Sequence, residues 1–230
     1  MPLLTFITDE KLQEYAKEVV DKTQAKANQA ERDLYVNVVD PFSSLFDSAR
    51  QGIGVDKWIE QEKARQAQKT LQGAIGKFHQ KVIGEIPGWH DASMGGSYDV
   101  GNDEKRIIAE IKNKHNTMNS SSAPSVYQKL TNHIQYSHRG YTAYLIEMVP
   151  KSKRPYNKSW SPNLRLMPLR EDIRRIDGKS FYELATGDSG ALRKLYEALP
   201  VVLERILGST AKNATSTSLF IELFNKVYEH

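Results

Sequence analysis

The sequence predicts an α/β protein, a mixed central sheet flanked by helices with additional helices at both ends. Three observations carry that expectation. Apolar residues recur at helical spacing through about residue 86 and again from about residue 190. From Pro87 onward, shorter strand-like stretches take over, punctuated by Gly88, Gly95 and Gly96. Within that middle part the order reads strand, strand, helix, strand.

Taken in order, Thr8 is a plausible cap, Asp9 and Glu10 are first-turn acids, and Leu12, Tyr15, Val19 and Val20 make a helix from Thr8 to about Ala30. Asp40-Pro41 is a turn signal, followed by a short segment with Phe42, Leu45 and Phe46. Trp58, Ile59, Leu71, Ile75, Phe78 and Val82 share one stripe of a long helix from about Val55 to Ile83. Arg106 to Lys112 reads as a strand with Ile107, Ala109 and Ile111 on one face and Ile108, Glu110 and Lys112 on the other. Ser125 to Ser137 carries Val126, Leu130 and Ile134 at helical spacing, and Tyr141 to Val149 is an apolar run suited to a strand covered on both faces. Asn163 to Leu169 is expected to add an outer strand. Helices are expected over Ala191 to Leu207, in spite of Pro200, and over Ser218 to Tyr228.

A chain of 230 residues suits a single domain. Its expected parts are a helical segment over about 1–86, a sheet core over about 87–170 and a helical segment over about 171–230. The absence of cysteine excludes disulfides, thiolate zinc sites and cysteine nucleophiles. No leader pattern and no long apolar segment is legible, so the expectation is a cytoplasmic protein without a membrane span. Net charge is +4 and the pI is near 9.0, a tilt toward a polyanionic partner. The positive charge gathers in KNKH (Lys112 to His115), in PKSKRPYNKSW (Pro150 to Trp160) and around Arg170 to Arg175.

The stretch GGSYDVGNDEKRIIAEIKNKHNT, from Gly95 to Thr117, concentrates the chemistry. A strand has period two, so Glu110 and Lys112 point from one face about 7 Å apart, next to what Asp99 presents from the neighbouring strand. Two adjacent carboxylates repel unless a cation lies between them, and Mg²⁺, which favours oxygen ligands and keeps several waters, matches such a pair. A lysine beside the metal can hold a phosphate oxygen or orient a water, so phosphodiester hydrolysis is chemically reasonable. The plain alternative is a hairpin carrying Glu110 and Lys112 as an ordinary surface pair. Against it, the glutamate lies in an apolar strand, RIIAEIK, where a solvated face would be more polar.

Asp99 followed by Glu110-Ile111-Lys112, in a strand-strand-helix-strand order after a long helix, resembles the PD-(D/E)xK nuclease superfamily and its restriction-endonuclease-like core. The stretches GGSYDVGNDEKRIIAEIKNKHNTMNSSS, YTAYLIEMVPK and GKSFYELATGDSGALRKLYEALP are similar to type II restriction endonucleases that cut GGNCC and related sites. The resemblance covers about Leu71 to Leu207. It implies a Mg²⁺-dependent homodimer cutting double-stranded DNA at a short GC-rich palindrome, with a cognate methyltransferase in the cell. Asp99 and Glu110 would be metal ligands and Lys112 would stand beside the attacking water. Tyr98 replaces the proline of the superfamily motif.

Other residues extend this reading. Glu62 on the long helix is a candidate further carboxylate for the metal, or a plain exposed helix residue. His79 reads as a packing residue rather than a catalyst. Lys114, His115, Asn116, Thr117 and Asn119 leave the end of the strand and are candidates for DNA contact, as are Lys151, Lys153, Arg154 and Lys158, which are interleaved with Tyr156 and Trp160. Arg154 is the first choice for a bidentate contact to guanine. Two other functions stay open at this level: a structure-specific DNA repair or recombination nuclease, and a non-catalytic DNA-binding module.

Overall fold

The computed structural model describes residues 1–28, 39–92, 98–119, 121–211 and 218–229. The chain divides into two compact units, Lys17–Ile75 and the remainder, Met1–Ala16 with Gly76–His230. In the smaller unit, Asp40-Pro41 is a helix start and not the turn expected of it. The Asp40 side chain caps by accepting the Phe42 N–H at 3.0 Å, and Pro41 sits in the first turn, where a missing N–H costs nothing. That helix, α2 (Pro41–Gln51), follows α1 (Asp9–Ala27) and ends at Gly52, whose φ of 65° is easy only for glycine. Trp58 and Ile59, from the first turn of α3 (Val55–Gly84), are buried together with Val39 and Ile53 against them.

In the larger unit α1 begins as its sequence predicts, with Thr8 Oγ1 accepting the Lys11 N–H at 3.3 Å and Leu12, Tyr15 and Ala16 buried. Part of the expected end near Ala30 lies outside the described residues, as do residues 93–97 of the glycine-rich bend before Asp99. Among the described residues six strands follow: β1 (His90–Asp91), β2 (Val100–Asn102), β3 (Ile107–Lys114), β4 (Thr142–Val149), β5 (Asn157–Trp160) and β6 (Arg170–Asp177). They form one sheet in the order β1-β2-β3-β4-β6-β5, with β3, β4 and β6 parallel and the outer pairings antiparallel. The sheet is therefore mixed, as expected.

Register decides what each face carries, because partners in a parallel pair point the same way. One face shows Ile108, Glu110 and Lys112 on β3, then Ala143, Leu145 and Glu147 on β4, then Ile173, Arg175 and Asp177 on β6. The apolar members of that set pack with Val126, Tyr127, Leu130 and Ile134 in one core cluster. Those four come from α4 (Ser122–Asn132) and the π-helical turn His133–Ser137 that prolongs it. Burying a side chain such as Leu130 completely contributes about 1.5–3 kcal/mol. The crossover helix is thus held to the sheet at its apolar end, and the charges lie at the other. The opposite face packs on α5 (Gly178–Thr186), where Phe181 meets Tyr144 edge to face and Gly178 lies against the Met148 backbone. The helices α6 (Ala191–Leu207) and α7 (Ser218–Tyr228) complete the described chain over the ranges their spacing predicts.

One expected strand is absent. Asn163 to Leu169 is a turn joining β5 to β6: the Asn163 carbonyl accepts the N–H groups of Leu166 and Met167 at 3.1 and 2.8 Å, and its side chain accepts that of Arg165 at 3.1 Å. Pro162 precedes it and Pro168 lies within it, and neither can donate to a ladder. The strands stand on either side of it, in NKSW and REDIRRID. The second of these looks like a basic cluster in the sequence because its charges surround only two buried isoleucines.

Candidate active site

Asp99 stands one residue before β2, and its backbone is fixed on three sides. Its N–H donates to the Ala109 carbonyl at 2.9 Å, and its carbonyl accepts the Ala92 N–H at 2.9 Å and the buried Gln80 side chain at 3.1 Å. The carboxylate reaches across to β3, where Oδ2 accepts the Ile111 N–H at 2.7 Å. It therefore lies beside the Glu110-Ile111-Lys112 tripeptide. Burial raises the Asp99 carboxyl above its ordinary range and the Glu110 charge raises it further, against the Ile111 N–H and the charges of Lys112 and Lys129.

Glu110 has the opposite fate. Its side chain is only 8% exposed, and burial by itself would raise its carboxyl. Lys112 Nζ donates to Oε1 at 2.8 Å and Lys129 Nζ donates to Oε2 at 2.7 Å, and together they hold the group below its usual range. One buried carboxylate thus carries two ammonium groups, one from its own strand and one from α4. Among the described residues no group of three or more His, Asp or Glu side chains converges as a metal site. A cation at this place would meet two carboxylates and complete its shell with water or phosphate oxygens, the preference of a hard divalent ion such as Mg²⁺.

The same face of the sheet continues the charge. Glu147, register partner of Lys112, is 2% exposed; Tyr156 donates its hydroxyl to it, and Arg175 lies 3.7 Å away. Burial and the Glu147 hydrogen bond push the Tyr156 hydroxyl far up. The cations of Arg175 and Lys158 lie 5.6 and 5.7 Å from the centre of the Tyr156 ring. Asp177 caps α5 through the Ser180 N–H at 3.0 Å and accepts the Tyr156 N–H at 2.7 Å. Ligand sites in parallel sheets gather at the carboxyl ends of the strands, and this charged row occupies that edge.

The two basic segments leave from the same edge, because Lys114 and Val149 are register partners at the ends of β3 and β4. His115 N–H donates to the Val149 carbonyl at 3.0 Å, so the turn after β3 is tied to β4. Asn116, Thr117, Lys151, Lys153, Arg154 and Lys158 are exposed, and Lys114 and His115 are partly so. Asn119 also shapes the backbone, since its Oδ1 accepts the N–H groups of Ser121 and Ser122 at 3.1 and 2.8 Å and starts α4. Thr117 Oγ1 likewise donates to the Lys114 carbonyl at 2.7 Å. Glu62 belongs to the smaller unit, where its carboxylate holds Arg65 at 2.9 Å and accepts from Gln66 at 3.2 Å. His79 is packed, as expected, with Nδ1 2.9 Å from the Tyr182 hydroxyl and its pKa lowered to about 4 by burial.

Lys129, Glu147 and Arg175 join this charged edge, and reading the sequence alone misses all three. Glu147 has a legible signal, as the lone charge in the buried run TAYLIEMV. Lys129 has a weaker one: it adjoins Leu130 and follows Val126 by three residues, on the flank of the apolar stripe of its helix. Arg175 stands out in the sequence only as part of a basic cluster.

The family described as Eco47II restriction endonuclease matches residues 4–208. The type II restriction enzyme Eco47II of Escherichia coli is 37% identical over an alignment of 239 residues, covering 99% of this chain and 100% of that protein. The type II restriction enzyme Sau96I of Staphylococcus aureus is 30% identical over 234 residues, covering 97% of this chain and 88% of that protein.

Proposed function

The chain belongs to the Eco47II family of type II restriction endonucleases, enzymes that act on double-stranded DNA with a divalent metal ion, and from that membership we propose how this chain cuts. Asp99 and Glu110 hold Mg²⁺, and Lys112 stands beside the attacking water. The observation that carries this assignment is geometric: the Asp99 carboxylate accepts the Ile111 N–H at 2.7 Å, beside Glu110 and a lysine already bonded to it at 2.8 Å. Membership of this family removes the ground for the structure-specific nuclease and for the non-catalytic module. Because the match runs from residue 4 to 208, we read residues 1–230 as one nuclease domain, cytoplasmic and paired in the cell with a cognate methyltransferase.

Ile111 N–H holds the Asp99 carboxylate beside the Glu110-Ile111-Lys112 tripeptide, where it would share a cation with Glu110. When bound, a divalent cation polarises a phosphoryl oxygen and lowers the pKa of coordinated water. Lys112, tethered to Glu110 at 2.8 Å, orients the incoming water and offsets the charge that develops on the phosphoryl group. Lys114, His115, Asn116, Thr117 and Asn119 run along the duplex from one turn, and Lys151, Lys153, Arg154 and Lys158 from the other. Arg154 reads guanine in a GGNCC-like palindrome. A palindrome offers each strand the same half-site, so two subunits related by a two-fold axis cut the two strands.

The test is a digest of unmethylated plasmid carrying GGNCC sites, with Mg²⁺, by the wild type and by Asp99→Asn, Glu110→Gln and Lys112→Met. Discrete fragments from the wild type and none from the three variants are expected. Cutting at the wild-type rate by any variant removes that residue from the site. Sedimentation with a cognate duplex in Ca²⁺ is expected to show two subunits per duplex, and one subunit per site would sink the dimer.

A further inference from the structure

Lys129 has no part in the reading above, yet its ammonium is as close to Glu110 as that of Lys112 is, at 2.7 against 2.8 Å. The contact is not an ordinary surface pair. Glu110 is almost wholly buried, and Lys129 reaches it from another element, α4, whose apolar stripe Val126, Tyr127 and Leu130 is packed into the sheet. The helix is therefore fixed, and the flexible part is the lysine side chain alone, one third exposed. Before any ligand binds, the two lysines balance the charges of Asp99 and Glu110.

That balance changes with occupancy. A divalent cation between the carboxylates competes with two ammonium groups for the oxygens of Glu110, and like charges at such distances repel. Lys112 is confined by its own strand two residues away, whereas Lys129 hangs from a separate helix and can turn out. The pentavalent phosphoryl group carries one more negative charge than the diester. Two carboxylates, a divalent cation, that phosphoryl group and a single lysine leave one negative charge unbalanced; a second lysine neutralises the set.

Resting on the assignment of Asp99 and Glu110 as the metal pair, we propose that Lys129 is a second catalytic lysine. It occupies Glu110 Oε2 in the metal-free chain, yields that oxygen to the cation, and then donates to a non-bridging oxygen of the scissile phosphate. Lys129 keeps its proton throughout: the attacking water gives one proton to solvent as the bond from its oxygen to phosphorus forms, the bond from phosphorus to the leaving strand breaks, and solvent returns a proton to the leaving oxygen.

The experiment compares wild type with Lys129→Gln, whose amide can still donate to Glu110, and with Lys129→Met as a second variant should the first fail to fold. Thermal melts establish folding, calorimetry measures Ca²⁺ binding to the protein without DNA, and single-turnover cleavage of a GGNCC plasmid at saturating Mg²⁺ measures the chemistry. Cleavage is expected to slow roughly 10²–10³-fold, the usual loss for one transition-state donor. Ca²⁺ affinity is expected to rise about tenfold, because a competing cation has left Glu110. Cleavage at the wild-type rate overturns the proposal. Slow cleavage with weakened Ca²⁺ binding also overturns it, since Lys129 would then be a prop that positions Glu110. Asp99→Asn and Glu110→Gln are run alongside, and cutting by those two would instead bring down the metal-pair assignment beneath it.

Discussion

The two carboxylates of the site should affect stability in opposite directions when no metal is bound. Glu110→Ala removes two charge-assisted hydrogen bonds, of 2.8 and 2.7 Å, each worth about 1.5–3 kcal/mol. Part of that is returned, because the buried charge no longer has to be desolvated and the partly exposed lysines turn to water. The net loss is then about 2 kcal/mol, below the 3–5 kcal/mol typical of breaking a fully buried pair. For a chain of this size each kcal/mol moves Tm by about 2–4 °C, so melting should fall by about 4–8 °C. Asp99→Asn keeps an oxygen for the Ile111 N–H while removing a charge that burial and Glu110 both oppose, and it should melt with the wild type or above it. The assay is a thermal melt at pH 7 in EDTA, followed by circular dichroism. A Glu110→Ala protein that melts with the wild type, or an Asp99→Asn protein several degrees below it, would refute this reasoning.

The pH dependence follows from the same signs. Glu110, lowered from 4.5, contributes stability that is present above that value and is lost as pH falls through its folded-state pKa. Asp99, raised from 3.8, carries a penalty above its folded-state pKa that is relieved as pH falls toward 3.8. Asp99→Asn loses this relief, so in EDTA its acid destabilisation should be steeper than that of the wild type. Three further outcomes test the fold and the DNA path. Neutral burial of His79 should cost stability as pH falls from 6.5 toward about 4, by on the order of 3 kcal/mol, and urea midpoints of His79→Gln should fall much less than those of the wild type across that window. Gly178→Ala would place a Cβ 2.6 Å from the Met148 carbonyl oxygen, backbone that cannot yield, and a loss of about 1–3 kcal/mol is expected; an unchanged melt would mean that α5 and β4 are not so close. Lys151→Ala and Lys153→Ala should each weaken binding to all duplexes in Ca²⁺ and flatten the log–log salt slope by about one unit, whereas Arg154→Ala should cost about 1–3 kcal/mol on the preferred site alone.

Local periodicity by itself determined much of this protein. The alternation in RIIAEIK set Glu110 and Lys112 on one face, and the apolar stripes of α3, α4 and α6 set the helices, because side-chain direction is a property of a short stretch of chain. The same local logic failed at REDIRRID, where burial on a central strand outweighs a polar composition, and at Asn163 to Leu169, where apolar residues line a turn. What only tertiary structure decided is which segments meet. The order β2-β3-β4-β6 brings Asp99 to Ile111 and lines up Lys112, Glu147 and Asp177, and the docking of α4 carries Lys129 to a carboxylate nineteen positions earlier in the chain. Such contacts depend on how apolar faces pack across long separations in sequence, and no spacing rule within one element encodes them.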